Sequence, residues 1–424
     1  MSRLWRYLRT GSLYPIARMI VTAQSELRRV RTLGQKPNVH FEEPYDGRRM
    51  MLLALYQKGV LRPDAIRLLR AAQAEGLYVL AVNTLKLRDP QALKGLVDCY
   101  IERPNFGRDF GSYKTGFLHV FRKGWHETCP RLLMINDSIF FSEERMPKFL
   151  NDMTTSEIEV LGSTENYEIE YHLGSFCIAM AQSVLKKPLF QKYWRKYRLT
   201  DVRPSVIKRG EMKLSKTLKR CVSAPNQFHS LYSSARFLRR LNEEPELVNF
   251  VIKNSRTSNL TGWERFSAKN VITFMSGRFI APLNVSAASQ EAEVRINASL
   301  PELNEEQFIQ DIDSLKGYVG RHLQDKGDID QILLDDSIIS VMSEVFMSGS
   351  QIHQNAATLL YLGLPIIKLD GMYRGMFNIY DMQRITHLLK AEEAAELERL
   401  LMERPYGGVT LVGWKRAAFM VGLI

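Results

Sequence analysis

Leu77-Tyr78-Val79-Leu80-Ala81-Val82 is an uninterrupted apolar run of strand length, and Asn83 opens a loop behind it. Such a run marks a strand covered on both faces, as in a parallel sheet. The residues before it read as a helix: Arg62-Pro63-Asp64 put proline in a first turn, Ile66, Leu68, Leu69 and Ala72 form an apolar face, and Gly76 ends it. Beyond the run, Pro90 to Val97 reads as a second short helix and Cys99 to Glu102 as a second strand. This alternation predicts an α/β fold whose parallel sheet presents ligands at the carboxyl ends of its strands.

Two polar segments stand at such ends. The first is Arg103-Pro104-Asn105-Phe106-Gly107-Arg108-Asp109-Phe110-Gly111-Ser112-Tyr113-Lys114, between a strand and an apolar helix around Phe117 to Phe121. Its glycines let the backbone approach a ligand, the helix amino terminus favours phosphate, and Arg108 and Lys114 add positive charge. The structural alternative is a tight turn at Gly107 and Gly111 with Asp109 capping the helix. The second segment is Asn136-Asp137-Ser138, where the apolar run Leu132-Leu133-Met134-Ile135 stops before Ile139-Phe140-Phe141. A carboxylate there can hold a divalent cation that neutralises a diphosphate, or it can satisfy local backbone in a turn.

The whole chain of 424 residues suits one large enzyme-like body or two to three domains, and 45% hydrophobic and 10% aromatic content excludes a disordered or disulfide-stapled chain. No apolar run is long enough to cross a bilayer. Four dispersed cysteines, Cys99, Cys129, Cys177 and Cys221, suggest neither a zinc knuckle nor a disulfide framework and point to a reducing cytoplasm. The net charge is +12, and residues 1–36 hold eight basic residues against the single acid Glu26. A near-neutral body argues against nucleic acid as a partner. In that basic arm Ile16, Ile20, Ala23, Leu27 and Val30 make a helical apolar stripe, with Trp5, Tyr7 and Tyr14 as aromatics. The stripe suits either an anionic membrane surface or the protein's own body.

Further along, Gly174 to Met180 reads as a core strand, and Phe190, Tyr193, Trp194 and Tyr197 as packing aromatics of a helix over 182–197. The expected organisation is a basic arm (1–36), an α/β domain (37–235), a connecting region (236–300) with some strand at Val271 to Met275, and a mainly helical domain (301–424). In the last, His353 reads as a packing residue.

The succession RPNFGRDFGSYKTGF, LLMINDS, HLGSF (His172 to Phe176) and IKRGEMKLSKTL (Ile207 to Leu218) resembles the rhamnan synthesis protein F family of bacterial glycosyltransferases over about residues 75–235. The resemblance implies a GT-A type nucleotide-sugar-binding domain. It implies transfer of rhamnose or a related sugar, with dTDP-L-rhamnose as one candidate donor, to a lipid-linked cell-surface polysaccharide, on the inner face of the plasma membrane. Inverting enzymes of that type carry an Asp-x-Asp pair at the strand end, and the match here, Asn136-Asp137-Ser138, keeps one carboxylate. Asp137 is then the expected ligand of a divalent cation, magnesium or manganese, that serves the leaving diphosphate. Glu211, opening a later helix in Gly210-Glu211-Met212-Lys213, is the expected base, with a pKa raised by desolvation. Asn105, Gly107, Arg108, Asp109, Lys114, Asn136 and Ser138 are the expected donor contacts. Glu168, Glu170 and His172, near Glu165, are the expected acceptor contacts. The departure from Asp-x-Asp leaves a noncatalytic scaffold of the same fold as the alternative.

Overall fold

The computed structural model describes residues 14–258, 265–278, 309–323 and 330–423, and these form two compact units. The first unit is built on strands β1 (Asn38–Glu42), β2 (Met50–Leu55), β3 (Tyr78–Asn83), β4 (Cys99–Glu102), β5 (Arg131–Asn136), β6 (Ile139–Phe141), β7 (Val160–Gly162), β8 (Glu165–Asn166), β9 (His172–Leu173), β10 (Cys177–Ala181), β11 (Phe228–Ser230) and β12 (Ile366–Lys368). Eight of them form one sheet in the order β1-β4-β3-β2-β5-β10-β7-β11. Strands β4, β3, β2 and β5 run parallel, which confirms the expected α/β class, while β10 runs antiparallel to both β5 and β7. All six residues of β2, β3 and β5 are buried, as continuous apolar runs in a two-sided sheet require.

Helix Arg108–Arg122 crosses one face of this sheet and helix Pro63–Ala74 takes part in the same body. The first lies so close that a methyl group at Gly116 would meet Leu52 at 2.3 Å. On its outer side Phe117 stacks on Trp194 of helix Pro188–Lys196, with centroids 4.6 Å apart, and Phe190 meets Phe117 edge to face. Each such aromatic pair contributes about 0.5–1.5 kcal/mol beyond the burial of its area. The aromatics expected to be packing are packing: Phe190, Tyr193, Trp194 and Tyr197 are all buried. The four cysteines are buried free thiols.

The unit boundaries differ from those expected. The first unit ends near Ser233 but regains residues 257–258 and 349–423, so the chain from 301 onward is not one helical domain. The return is made by β12, which pairs antiparallel with β6, and by the contact of Asn166 with Ser350. The second unit takes residues 234–256, 265–278, 309–323 and 330–348, and every element described in it is a helix. Its core includes Phe237 stacked on Phe346 at 3.9 Å. The strand expected at Val271 to Met275 lies within helix Ala268–Arg278, where Val271 and Met275, four residues apart, are its buried face. Burial at helical spacing overrides the β-branched Val271-Ile272-Thr273 run.

The amino-terminal helix Tyr14–Arg31 belongs to the first unit, while Trp5 and Tyr7 lie outside the described residues. It docks by Ala17, Val21 and Ser25, not by the stripe expected to be its apolar face. Ala17 and Val21 pack with Val202, Ala418 and Leu423, and Ser25 shares a hydrogen bond with Thr200. No described helix is long and apolar enough to cross a membrane.

Candidate functional site

The loop after β4 is organised by Arg103, which is buried with its guanidinium under the following helix. It donates to Ser112 Oγ (2.9 Å), Pro104 O (2.8 Å), Phe106 O (2.6 Å) and Arg108 O (2.5 Å). Burial pulls its pKa down to about 10, and the nearby Asp109 and Asp201 oppose that. Gly111 is the reason the guanidinium fits: a Cβ there would stand 2.6 Å from Arg103 Nη1. Gly107, at φ +89°, turns the chain into the helix, and its N–H donates to Asp201 Oδ1 (2.8 Å). Arg108 also takes a left-handed φ of 51° and donates through Nε to Asp201 O. This turn presents Asp109 in the first turn of helix Arg108–Arg122, where Asn136 Nδ2 donates to its carboxylate at 2.9 Å. Burial raises the pKa of Asp109 and the carboxylate of Glu211 adds to that, against the pull of Lys368, Arg108 and Arg103.

At the end of β5, Asn136 and Ser138 line a cavity and Asp137 does not. The Asp137 side chain faces the turn after β2, accepting from Tyr56 N (2.8 Å) and from Gln57 Nε2 (3.0 Å) on the same oxygen, Oδ2. Burial pushes its pKa up to about 6, although Arg62 and these two donors favour the charged form. Asn136 Oδ1 accepts from Ser138 Oγ at 2.6 Å. The strand end itself offers no carboxylate to the cavity, so a divalent cation there would be held by Asp109 or Glu211 together with the donor's own phosphate oxygens. Among the described residues, the one trio of His, Cys, Asp or Glu with convergent ligand atoms is Glu42, Cys99 and His119, none of which lines the cavity. Glu42 there is already bound by His119 (2.6 Å) and Lys123 (2.6 Å).

The opposite wall comes from β9 and from Ile207–Met212, a π-helical stretch between helical turns Arg203–Val206 and Lys213–Lys219. Such wide turns often mark functional sites because they re-aim a side chain without ending the helix. Here it seats Gly210 against the Phe110 ring, where a Cβ would meet the ring at 2.8 Å, and brings Glu211 to the cavity. His172 Nε2 lies 3.7 Å from Glu211 Oε2, and its Nδ1 faces Glu170 O at 2.7 Å. Burial alone lowers the His172 pKa, but Glu211 and the Glu170 carbonyl bring the net shift above the ordinary value. For Glu211 burial pushes upward, yet His172, Lys368 and Arg203 hold it below the ordinary carboxylate value, contrary to the raised pKa expected for it.

A third wall is supplied from the returning chain. Lys368, at the end of β12, donates to Ser138 Oγ at 2.6 Å and stands over the Phe176 ring. Asp370 is held by His353 Nε2 (2.7 Å) and by Arg374, which keep its carboxyl well below its ordinary pKa despite burial. His353, expected to be a packing residue, lines the cavity with Asp370 and Arg374. The cavity, of about 250 Å³, thus brings Arg108, Arg203, Lys368 and Arg374 together with the carboxylates of Asp109, Glu165, Glu168, Glu211 and Asp370.

Of the residues expected to bind a donor, Arg108, Asp109, Asn136 and Ser138 meet here, while Asn105, Gly107 and Lys114 do not line the cavity. Lys114 instead donates to Arg195 O and Tyr197 O, satisfying the end of helix Pro188–Lys196. Of the expected acceptor residues, Glu168 and His172 line the cavity, and Glu170 pairs with Lys216 at 2.8 Å. Glu165 is also at the wall, accepting from Tyr167 Oη. Lys368, Asp370, Arg374 and Arg203 were missed, and the one signal for the first was its place at the end of the apolar run Leu364 to Ile367.

Comparison with known proteins finds partial matches. The uncharacterized protein y4gN of Sinorhizobium fredii is 27% identical over 176 residues, which are 40% of this chain and 45% of that protein. The virulence protein VirA of Vibrio anguillarum is 30% identical over 119 residues, 28% of this chain and 38% of its own length. The chain therefore spans less than half the length of these curated relatives. Among solved structures, the glycosyltransferase GlyE of Streptococcus pneumoniae TIGR4 aligns at 12% identity and a TM-score of 0.22, over 46% of this chain and 48% of that one. Residues 77–230, from β3 to β11 and carrying Arg108, Asp109, Asn136, His172 and Glu211, match the family model of rhamnan synthesis protein F.

Proposed function

We propose that the protein is a glycosyltransferase of cell-surface polysaccharide synthesis. It moves a sugar, rhamnose or a close relative, from a nucleoside diphosphate donor to a lipid-linked saccharide with inversion. The observation that carries this reading is the cavity at the carboxyl end of β5, where Arg108, Arg203, Lys368 and Arg374 stand among the carboxylates of Asp109, Glu165, Glu168, Glu211 and Asp370, all but Lys368, Asp370 and Arg374 inside the stretch that matches the family. Cations of that number suit a diphosphate, whose charge grows as the glycosidic bond breaks. A GT-A type domain, with the donor seated at the strand ends, is part of the proposal.

Inversion is a single displacement. The acceptor hydroxyl oxygen attacks the anomeric carbon, the bond from that carbon to the diphosphate oxygen breaks, and the hydroxyl proton passes to a base on the far face. Glu211 is that base, since His172, Lys368 and Arg203 keep it ionised. Asp109, tied to Asn136, orients the sugar. Lys368, Arg203 and Arg374 take the role that a divalent cation holds at an Asp-x-Asp strand end, a reading supported by the Asp137 side chain facing away from the cavity.

The test is nucleoside diphosphate release with a panel of activated sugars and lipid-linked acceptors. Glu211→Gln lowers kcat about 10²–10⁴-fold, Lys368→Ala weakens donor binding about tenfold or more, and a chelator leaves the rate unchanged. Absence of both turnover and donor binding across the panel overturns the reading. Donor binding without turnover favours the second reading, a noncatalytic scaffold, to which the missing Asp-x-Asp pair at Asn136 and Ser138 already points.

A further inference from the structure

The stripe Ile16, Ile20, Leu27 and Val30, together with Met19, remains exposed on helix Tyr14–Arg31, Met19 at 68% of its surface. At about 100° per residue these side chains centre on the side of the helix opposite Ala17, Val21 and Ser25, by which it docks. Docking therefore fixes the helix with its apolar stripe outward. Arg31 is exposed beside the stripe, whereas Arg18 is exposed at the border of the docking side, close over the Tyr14 ring.

A second element with the same chemistry is fastened to it. Ala418 and Leu423 complete the small core around Ala17 and Val21, so the carboxy-terminal helix Gly413–Met420 is held against the amino-terminal one. Trp414 is exposed on it, Val409 and Val412 (at 78%) are exposed in the residues leading into it, and the exposed bases Lys415 and Arg416 stand next to Trp414. Apolar side chains standing in water beside unburied arginine and lysine, with an aromatic at the border, are the composition of a surface that enters the interface of an anionic bilayer. Among the described residues 14–36, Arg18, Arg28, Arg29, Arg31 and Lys36 stand against the single acid Glu26, which supplies the charge complementarity for anionic headgroups.

We propose that these two helices, clamped together through Ala17, Val21, Ala418 and Leu423, form one docking face for an anionic lipid surface. The face owes nothing to the cavity residues, so its test does not depend on the sugar-transfer reading. The full chain is sedimented with vesicles of phosphatidylglycerol and phosphatidylcholine in equal parts, and with phosphatidylcholine alone. Binding to the first, lost at high salt, is expected. Met19→Gln with Leu27→Gln weakens it about tenfold or more. Arg31→Gln with Lys415→Gln weakens it about fivefold per charge removed. Val412→Ser with Trp414→Ala also weakens it, and all variants keep the wild-type circular dichroism because the side chains are exposed. Failure of the wild type to bind, or binding indifferent to the apolar substitutions, overturns the proposal. So does concentration-dependent self-association abolished by the same substitutions, which would make the face a contact between copies. Binding lost with the amino-terminal variants and unchanged by those at Val412 and Trp414 overturns the two-helix claim.

Discussion

Asp109 keeps the place at the cavity that its sequence position suggests and Asp137 does not, because Asp137 lies in the turn that follows the strand end. Strand β5 ends at Asn136, and Asp137 and Ser138 form the turn before β6, so strand alternation does not decide which side they face. Here Asn136 and Ser138 hold the cavity side, and Asp137 turns inward to Tyr56 N and Gln57. A sequence shows the acid but not the side it faces, so Asp137 was legible as a strand-end carboxylate with two roles open to it, and the hydrogen bonds from Tyr56 N and Gln57 select the turn-fixing one. Both of its donors meet one oxygen, so Asp137→Asn can keep them. Urea unfolding should show Asp137→Asn within about 0.5 kcal/mol of wild type and Asp137→Ala about 1–3 kcal/mol less stable; loss of diphosphate release in Asp137→Asn with the fold intact would restore the metal-ligand role. The His172–Glu211 pair gives a pH signature. The lowered pKa of Glu211 makes its contribution complete above its ordinary 4.5 and lost as pH falls through the folded value. The raised pKa of His172 makes its contribution complete below 6.5 and lost as pH rises through the folded value. The Tm deficit of His172→Gln, about 2–4 °C for each kcal/mol lost, should peak between those limits and shrink toward alkaline pH. A deficit constant with pH would show that the two groups do not interact.

At the scale of elements, legibility followed continuity of pattern. The run Leu77 to Val82 could be read because nothing interrupts it, and Met50–Leu55, the strand between β3 and β5, carries the same signal although it was not singled out. Val271 to Met275 was misread because a short β-branched run does not distinguish strand from helix until its buried neighbours are known. The π-helical stretch Ile207–Met212 has no sequence mark beyond Gly210, whose need is set by the Phe110 ring lying against it. Gly111 was read as a possible ligand-approach glycine, and its structural reason is Arg103. Gly111→Ala forces a methyl group onto a guanidinium held by four hydrogen bonds, so the arginine must move and abandon some of them. The expected cost is about 1–3 kcal/mol, read by denaturant unfolding, with weaker donor binding because Asp109 sits on the same turn. A neutral Gly111→Ala would mean that Arg103 does not organise the loop.

At the scale of the molecule, the first unit is assembled from stretches distant in sequence, and this was the least legible feature. Nothing in the chain beyond residue 230 signals that Lys368 lies 2.6 Å from Ser138, because that contact spans 230 residues and is fixed only when β12 pairs with β6. A second tie makes the return part of the fold. In helix Ala391–Met402 the buried Glu393 accepts from Ser142 Oγ (2.9 Å) and Glu143 N (2.7 Å), and its carboxylate lies 3.4 Å from Arg67 Nε. Glu396, one turn on, accepts from Asp64 N and pairs with Arg67 Nη2 at 2.8 Å. Removing Glu393 leaves a serine hydroxyl, a backbone N–H and part of a guanidinium buried without their acceptor, so Glu393→Ala should destabilise the protein by about 3–5 kcal/mol. Glu393→Gln, which keeps an acceptor for Ser142, should cost less. If the returning segment is integral to the sheet-bearing unit, the tryptophan signal of Trp194 in the core and amide exchange of β12 shift to lower urea together in Glu393→Ala. Exchange opening at β12 while the sheet strands keep wild-type protection would show instead that the segment docks on a unit already stable without it.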